Sequence, residues 1–194
     1  MTVPALGDQV PRWGNPLLRA LGRATLSLCG WRIEGAVPNL PKCVLIVAPH
    51  TSNRDFVVGI AALFALGFRA TYLGKHTLFR GPLGWFMRWT GGIPVDRDAA
   101  DGVVAGALGL VRGRGRIFLT LAPEGTRQKV ERWKSGYYRI AAGAGIPIFP
   151  VALDYARKVV ALLPLFIPTG RQSEDEDALR ALYSPAMARH PERY

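Results

Sequence analysis

The sequence lacks the features of membrane-spanning, secreted or disulfide-linked proteins. Its longest apolar run, Phe56 to Phe68, is shorter than the roughly 20 residues that a membrane-spanning helix needs. Only two cysteines are present, Cys29 and Cys43, without the spacing of a zinc site or a disulfide framework. The N-terminus has no basic region followed by an unbroken apolar stretch and a cleavage site. We therefore expect both cysteines to be ordinary buried thiols in a reducing compartment.

Acidic residues are scarce relative to basic ones. The chain has 25 Lys and Arg against 14 Asp and Glu, which gives a net charge of +11. Such a chain is expected to meet an anionic partner, and nucleic acid, an anionic membrane surface and phosphorylated small molecules all qualify. A nucleic-acid module would carry its cations as a stripe with accessible aromatics, whereas many here flank apolar segments. We therefore expect no nucleic-acid partner.

Two chemistry-bearing residues, His50 and Asp55, follow the strongly apolar run Val44–Val47. That run predicts a buried strand, and the apolar stretch 56–64 predicts a helix that begins with a polar cap. An imidazole accepts a proton near neutral pH, and a carboxylate on its other ring nitrogen fixes its tautomer. The alternative is that Asp55 only caps the helix, near the positive end of its dipole, and that His50 is an ordinary loop residue.

Strand and helix patterns alternate along the chain and predict an α/β fold, a mostly parallel central sheet flanked by helices. Two prolines, Pro147 and Pro150, favour a sheet edge or a bulge for one of the strands. The predicted strands cover residues 31–35, 43–47, 69–74, 91–97, 116–121, 146–153 and 159–163.

Basic residues also mark the ends of the predicted strands. Lys75 and Arg127 follow apolar strands as His50 does, and Arg97 closes one. Parallel sheets bind ligands at this edge, and arginine forks match phosphate oxygens. Neither a G-x-S-x-G elbow nor a G-x-x-x-x-G-K-[ST] loop is present. Without a protein nucleophile, a His–Asp pair most economically activates a hydroxyl of the substrate.

Two segments have the composition of a membrane surface element. Residues 15–31 place leucines at helical spacing, with Arg19 and Arg23 on another face, which predicts a helix that either packs on its own core or lies on an anionic membrane. Residues 78–89 mix aromatics, leucines and arginines; a core helix, an acyl-chain channel and a membrane-facing surface all explain them. We expect a peripheral, monotopic protein at the cytoplasmic face of the cell membrane.

The length of the chain favours a single domain over residues 1–194. Within it we expect an N-terminal amphipathic helix at about residues 15–30. The acidic run Ser173–Asp177 predicts a surface helix in a loosely attached tail at about residues 171–194.

Four sequence blocks, in order, resemble those of the glycerolipid acyltransferases, the group that includes 1-acylglycerol-3-phosphate acyltransferases. The resemblance covers roughly residues 31–160 and implies a fold like that of glycerol-3-phosphate acyltransferases. The H-x-x-x-x-D block matches His50 to Asp55, G-x-[IF]-x-x-R matches Gly92 to Arg97, P-E-G-T-R matches Pro123 to Arg127, and an apolar block with two prolines matches Ile146 to Val151.

The resemblance implies that His50 is the general base for an acceptor hydroxyl, oriented by Asp55. The acyl donor would be acyl-coenzyme A or acyl carrier protein, with no acyl-enzyme, metal or cofactor. Lys75 would face donor or acceptor phosphates, and Arg127 would contact the acceptor phosphate. The residues expected to bind the polar head of a lysophospholipid are Arg97, Glu124, Gly125, Thr126 and Arg127; an ion pair between Glu124 and an arginine is the structural alternative.

Departures from the family pattern leave the acceptor open. Arg54, Pro94 and Ala122 stand where aromatic or bulkier apolar residues are common in close relatives. We expect 1-acylglycerol-3-phosphate as the acceptor. A lyso-ornithine lipid, a glycolipid or a pigment alcohol would serve the same mechanism, and a non-catalytic lipid-binding protein is the alternative from another class.

Overall fold

The structure, a computed structural model, describes residues 2–96 and 100–194. Its strands are β1 (Arg32–Gly35), β2 (Lys42–Ala48), β3 (Thr71–Lys75), β4 (Gly92–Val95), β5 (Ile117–Leu121), β6 (Ile148–Asp154) and β7 (Val159–Leu162). Its α-helices are α1 (Pro16–Leu28), α2 (Arg54–Leu66), α3 (Gly81–Trp89), α4 (Ala100–Gly113), α5 (Gly136–Ala144) and α6 (Gln172–Arg180). In the part of the chain thus described, no helix is both long and apolar enough to cross a membrane.

The strands form one sheet in the order β1-β7-β6-β2-β5-β3-β4. Neighbouring strands are parallel except for β6 and β7, which pair antiparallel. The predicted α/β fold with a mostly parallel central sheet is therefore confirmed. The carboxyl ends of β2, β3, β4, β5 and β6 consequently meet at one edge of the sheet.

The central strand β2 supplies apolar side chains to both faces of the sheet. Cys43 and Leu45 pack on the side of α1 and α2, whereas Val44 and Ile46 pack on the side of α4 and α5. Successive strand residues point to opposite faces, and helices cover both. The run therefore reads as continuously apolar rather than alternating.

Strand β6 lies inside the sheet, between β2 and β7, so the expectation of an edge or a bulge is wrong. Pro147 precedes the strand, and its carbonyl accepts the N–H of Val44 at 3.0 Å. The carbonyl of Pro150 accepts the N–H of Leu163 at 3.0 Å, one residue past the end of β7. Pro150 has no N–H to donate to β7. The sheet loses little by this, because β7 ends one residue before the position opposite Pro150.

The segment after residue 171 is packed, which corrects the expectation of a loosely attached tail. The hydroxyl of Tyr138 donates to Asp175 Oδ2 at 2.7 Å, and Leu179 and Tyr183 are buried. The ring of Tyr183 also packs edge-on against Trp133. The acidic run concealed this docking because its central carboxylate, Asp175, is buried and hydrogen-bonded rather than solvated. The single-domain assignment stays a prediction.

Helix α1 packs closely against α2. Its predicted cap is present, since the side chain of Asn15 accepts the N–H groups of Leu17 and Leu18. Gly22 and Leu26 are the buried residues of the helix. A Cβ added at position 22 would lie 2.6 Å from the carbonyl oxygen of Ala61, so the two helix backbones approach as closely as a glycine allows.

We predict that Gly22→Ala destabilises the protein by about 1–3 kcal/mol, because the new methyl group forces α1 away from α2. The matched control is Gly106→Ala in α4, where a Cβ would meet nothing within 4 Å. There the higher helix propensity of alanine should stabilise the protein by about 0.5–1 kcal/mol. Urea unfolding of both variants measures these changes, and equal effects at the two positions would contradict the close helix contact.

Candidate active site

His50 and Asp55 lie between the end of β2 and the first turn of α2, and their side chains meet. The Nδ1 atom of His50 is 3.2 Å from Oδ2 of Asp55. The carboxylate is buried, whereas the imidazole retains 21% of its side-chain exposure. Because Nδ1 faces the carboxylate, Nε2 is the nitrogen that can accept a proton from a ligand. The structure thus brings the two predicted residues together.

Asp55 is held by two further hydrogen bonds. The N–H of Ser52 donates to Oδ2 at 2.8 Å, and the hydroxyl of Tyr155 donates to Oδ1 at 2.7 Å. Burial alone would raise the pKa of Asp55, but hydrogen bonds from His50, Tyr155 and Ser52 outweigh it and lower that pKa below its ordinary value. The carboxylate is therefore ionised at neutral pH.

Glu124 supports the backbone of the histidine loop. The N–H of His50 donates to Glu124 Oε1 at 2.9 Å. The carboxyl group is buried, and within residues 2–96 and 100–194 its Oε2 has no hydrogen-bond partner and no arginine or lysine forms an ion pair with it. Burial raises the pKa of Glu124, and the N–H of His50 only partly opposes this. Glu124 therefore holds the loop that contains His50 through its backbone N–H.

Two of the other predicted cations, Lys75 and Arg127, lie at the same edge of the sheet. Lys75 ends β3 and is exposed. Arg127 follows β5, is exposed, and lines the same cavity as His50 and Asp55. Arg97, also predicted to bind the acceptor, lies outside the described residues. The structure thus brings His50 and one predicted cation, Arg127, to the same cavity, whereas Lys75 does not line it.

Gly125 and Thr126 lie in a tight turn between Glu124 and Arg127, and neither lines the cavity that contains His50 and Asp55. Gly125 has φ +66°, and its N–H donates to Ala122 O at 3.0 Å. The Oγ1 atom of Thr126 accepts the N–H of Gln128 at 3.3 Å. A Cβ on Gly125 would lie 2.8 Å from Cδ of Lys134, so this lysine reaches across the turn. Lys134 is therefore a cation beside this turn, and the sequence analysis did not include it among the candidate residues.

Tyr155 is the second residue that sequence reasoning missed. It follows β6 directly, and β6 pairs parallel to β2. Its position after an apolar strand is the same signal that distinguished His50, Lys75 and Arg127. The pairing of β6 with β2, which the sequence alone does not reveal, is what brings its hydroxyl to Asp55.

A cavity of about 190 Å³ extends from His50 and Asp55 into the apolar layer between the sheet and α2. Apart from the residues already described and a few other polar groups, its walls are apolar and include Leu45, Phe56, Ile60, Leu63, Phe149 and Val151. A base at one end of such a cavity suits a ligand with a reactive polar end and an apolar body.

Fold and site together define an α/β protein in which a histidine contacts a buried aspartate at the carboxyl end of a central strand. The family model described as Acyltransferase matches residues 34–154. The chain therefore belongs to this family, and the resemblance to glycerolipid acyltransferases predicted from the sequence blocks is confirmed.

The curated relatives that the chain matches are named as acyltransferases. The chain is 31% identical over 130 residues to a chloroplastic 1-acyl-sn-glycerol-3-phosphate acyltransferase of Brassica napus, an alignment covering 63% of this chain and 35% of the relative. It is 30% identical over 117 residues to the 1-acyl-sn-glycerol-3-phosphate acyltransferase of Escherichia coli K12, covering 57% and 46%. The chain thus spans less than half the length of these relatives.

A solved structure shares the fold. The crystal structure of the 1-acyl-sn-glycerophosphate acyltransferase from Thermotoga maritima superimposes with a TM-score of 0.63 at 20% identity, covering 86% of this chain and 75% of that one.

We predict that Glu124→Gln removes a pH-dependent loss of stability. A raised carboxyl pKa means that the folded protein binds the proton more tightly than the unfolded chain, so stability falls as pH rises above the ordinary value of 4.5. Glutamine cannot ionise, and its carbonyl oxygen can still accept the N–H of His50. The variant should be more stable than the wild type at pH 7, by about 1 kcal/mol, and the gap should close on acidification.

Urea unfolding across this pH range measures the effect. Glu131→Gln, at an exposed carboxylate, is the control and should follow the wild-type curve. A Glu124→Gln variant that is less stable than the wild type at pH 7, or whose stability difference from the wild type does not change with pH, would contradict this prediction.

Proposed function

We propose that the protein transfers a fatty acyl group from an acyl thioester to a hydroxyl of a lysophospholipid, with 1-acylglycerol-3-phosphate as the acceptor. The activity named for the curated relatives, one from a plant chloroplast and one from a bacterium, supports this acceptor. The observation that carries the proposal is the contact of 3.2 Å between His50 Nδ1 and Asp55 Oδ2 at the polar end of an apolar cavity.

In the proposed reaction, His50 is the general base and Asp55 orients and charges it. Nε2 takes the proton of the acceptor hydroxyl while the hydroxyl oxygen attacks the thioester carbonyl carbon. The tetrahedral intermediate collapses, the carbon–sulfur bond breaks, and the leaving thiolate receives the proton from the imidazolium. The products are an ester and a free thiol. The proposed reaction steps need no acyl-enzyme, metal or cofactor.

We assign the polar head of the acceptor to the cations at the sheet edge. Arg127 lines the cavity that contains His50, and its guanidinium matches phosphate oxygens. We assign to Lys75, which is exposed at the end of β3, a contact with a donor or acceptor phosphate. The remaining proposed contacts come from Arg97 and from the turn after β5, namely Glu124, Gly125 and Thr126.

The apolar cavity is the proposed site of an acyl chain. Its walls come from α2 and from the sheet, which keep a chain out of water while the carbonyl end stays near His50. Both acyl-coenzyme A and acyl carrier protein present such a chain on a thioester, so both are candidate donors.

We predict that His50→Ala lowers the rate of acyl transfer by about 10²–10⁴-fold, because the acceptor hydroxyl loses its base. The assay follows free thiol released from palmitoyl-coenzyme A, or from palmitoyl acyl carrier protein, with and without lysophosphatidate, and the lipid product by mass. His190→Ala is the matched control: this histidine also faces a carboxylate, Glu192, at 3.4 Å, but outside the cavity.

The outcomes separate the candidate functions. Thiol release that depends on lysophosphatidate and is lost only in His50→Ala supports the reaction and its acceptor together. Equal release by the wild type and His50→Ala would rule out the proposed base. Lipid binding by the wild type without release from either donor, with lysophosphatidate or with the alternative acceptors, would favour the non-catalytic lipid-binding alternative.

We propose further that α1 and α3 dock the protein on an anionic membrane surface. One stripe of α1 leaves Leu17, Leu21 and Leu28 exposed, Leu28 at 88%, on a different side from the buried Gly22. Leucines four and seven residues apart share one helix face, and such a face is what lies in a lipid interface.

Helix α3 extends the apolar surface on the same side of the sheet. Leu83 and Trp85 are exposed, and Trp89 contacts Trp13, just before α1, with ring centroids 5.4 Å apart. The neighbouring cations Arg69 and Arg80 are also exposed. Because anionic lipids are concentrated on the cytoplasmic leaflet, we assign the protein to that face as a peripheral protein.

We predict that the double variant Leu17→Gln, Leu21→Gln binds anionic vesicles about a hundredfold more weakly, at roughly 1.5 kcal/mol for each leucine withdrawn from lipid. Co-sedimentation with vesicles containing phosphatidylglycerol measures the partition. Ile167→Gln is the control, since Ile167 is 64% exposed but lies outside both helices. Unchanged binding of the double variant would eliminate α1 as the docking element.

A further inference from the structure

Tyr155 connects the buried Asp55 to the last segment of the chain. Its hydroxyl donates to Asp55 Oδ1 at 2.7 Å, the carboxylate oxygen opposite the one that faces His50. Its backbone N–H donates to Met187 O at 2.9 Å. The guanidinium of Arg189 lies 5.7 Å from the centre of its ring. No other side chain in the described part of the chain donates a hydrogen bond to Oδ1 of Asp55.

We propose that Tyr155 is a positioning residue for the acyl-transfer site, one that acts on His50 through Asp55. This inference rests on the proposed function, because a positioning effect requires that His50 acts as the base. Tyr155 itself contacts neither reacting group: it holds Oδ1 so that Oδ2 stays directed at the imidazole.

The need for such a contact follows from the geometry of the carboxylate. Asp55 is in the first turn of α2, and only Oδ2 is bound by its own loop, through Ser52 N–H and His50 Nδ1. The carboxyl plane can rotate about the bond to Cβ unless the second oxygen is also held. A phenol that donates to Oδ1 supplies this restraint.

The hydroxyl of Tyr155 keeps its proton at neutral pH. Burial, together with the hydrogen bond to Asp55, raises the pKa of Tyr155 far above its ordinary value. Tyr155 is therefore a permanent donor, whereas a water at the same place would be free to reorient.

The ring of Tyr155 is fixed from two sides. Trp31, just before β1, packs edge-on against it with ring centroids 4.8 Å apart. On the other side, the segment that contains Met187 and Arg189 continues to His190, whose N–H donates to Thr51 Oγ1 at 3.2 Å, next to His50. The packed C-terminal segment thus holds both the positioning tyrosine and the histidine loop.

The hydrogen bond from Tyr155 should also affect how much negative charge the Asp55 carboxylate presents to His50. The hydrogen bond from Tyr155 draws negative charge away from Asp55, so its loss strengthens the attraction between the carboxylate and a protonated imidazole. The other charged groups close to Asp55 and Tyr155 are Glu124, Arg54 and Arg189, and the test substitution changes none of them. The acid limb of the rate profile, where protonation of the base ends activity, should therefore move to higher pH.

The test is Tyr155→Phe, with kcat and KM measured across pH for the acyl transfer described above. We expect kcat at pH 7 to fall about tenfold with KM nearly unchanged, and the acid limb to rise by about half a pH unit. Tyr138→Phe is a matched control, because it removes a tyrosine-to-carboxylate hydrogen bond of the same 2.7 Å, to Asp175, on the other face of the sheet. Its pH profile should coincide with that of the wild type.

A double-mutant cycle separates positioning from general support of the fold. If Tyr155 acts through the ionised carboxylate, Tyr155→Phe should have almost no further effect on kcat in an Asp55→Asn background. A similar tenfold loss in both backgrounds, or an unshifted acid limb, would overturn the inference and leave the His50 mechanism intact. If neither the wild type nor His50→Ala transfers an acyl group, the proposed function is wrong, and the inference about Tyr155 is wrong with it.

Discussion

The buried carboxylate of Asp55 is the group on which the site depends. A charge removed from water is costly unless hydrogen bonds replace its solvation. Here the replacements come from His50, Ser52 and Tyr155, and together they lower the pKa of the carboxyl group despite its burial. The same three contacts that make the burial tolerable fix the direction in which the carboxylate faces. Stability of the loop and orientation of the imidazole therefore have one cause.

The parallel sheet is what makes this arrangement possible. β5 and β6 flank β2 and run parallel to it, so residues that follow the three strands meet at one edge. Glu124 comes from the loop after β5, His50 from the loop after β2, and Tyr155 from the end of β6. Each of these three positions supplies one polar group. The apolar strands that precede them form a rigid framework, which holds the polar groups in place. The cavity then extends from this polar edge into the layer under α2, so polar side chains lie at one end of an apolar space.

The N-terminal helix shows how one amphipathic pattern can serve two surfaces. Gly22 lets α1 approach α2 closely, and this narrow contact uses only a small part of the apolar circumference. The stripe containing Leu17, Leu21 and Leu28 is left over and faces outward. From the sequence, packing on the core and lying on a membrane were equal alternatives. The structure shows the first, and the second is a proposal that rests on the stripe that packing leaves exposed.

The amino-acid sequence by itself determined the strand and helix order, the α/β class and the juxtaposition of His50 with Asp55. These features are local, because periodicity, caps and a spacing of five residues act over one or two turns of chain. The tertiary structure alone decided the interior position of β6, the docking of the C-terminal segment and the contact between Tyr155 and Asp55. These depend on contacts between residues far apart in the chain: Tyr138 and Asp175 are 37 positions apart, and Tyr155 and Asp55 are 100 positions apart. The prolines favoured an edge position for β6, and the acidic run favoured a loosely attached tail. Both predictions failed because local sequence carries no information about which distant group will form a hydrogen bond with a given carbonyl or carboxylate.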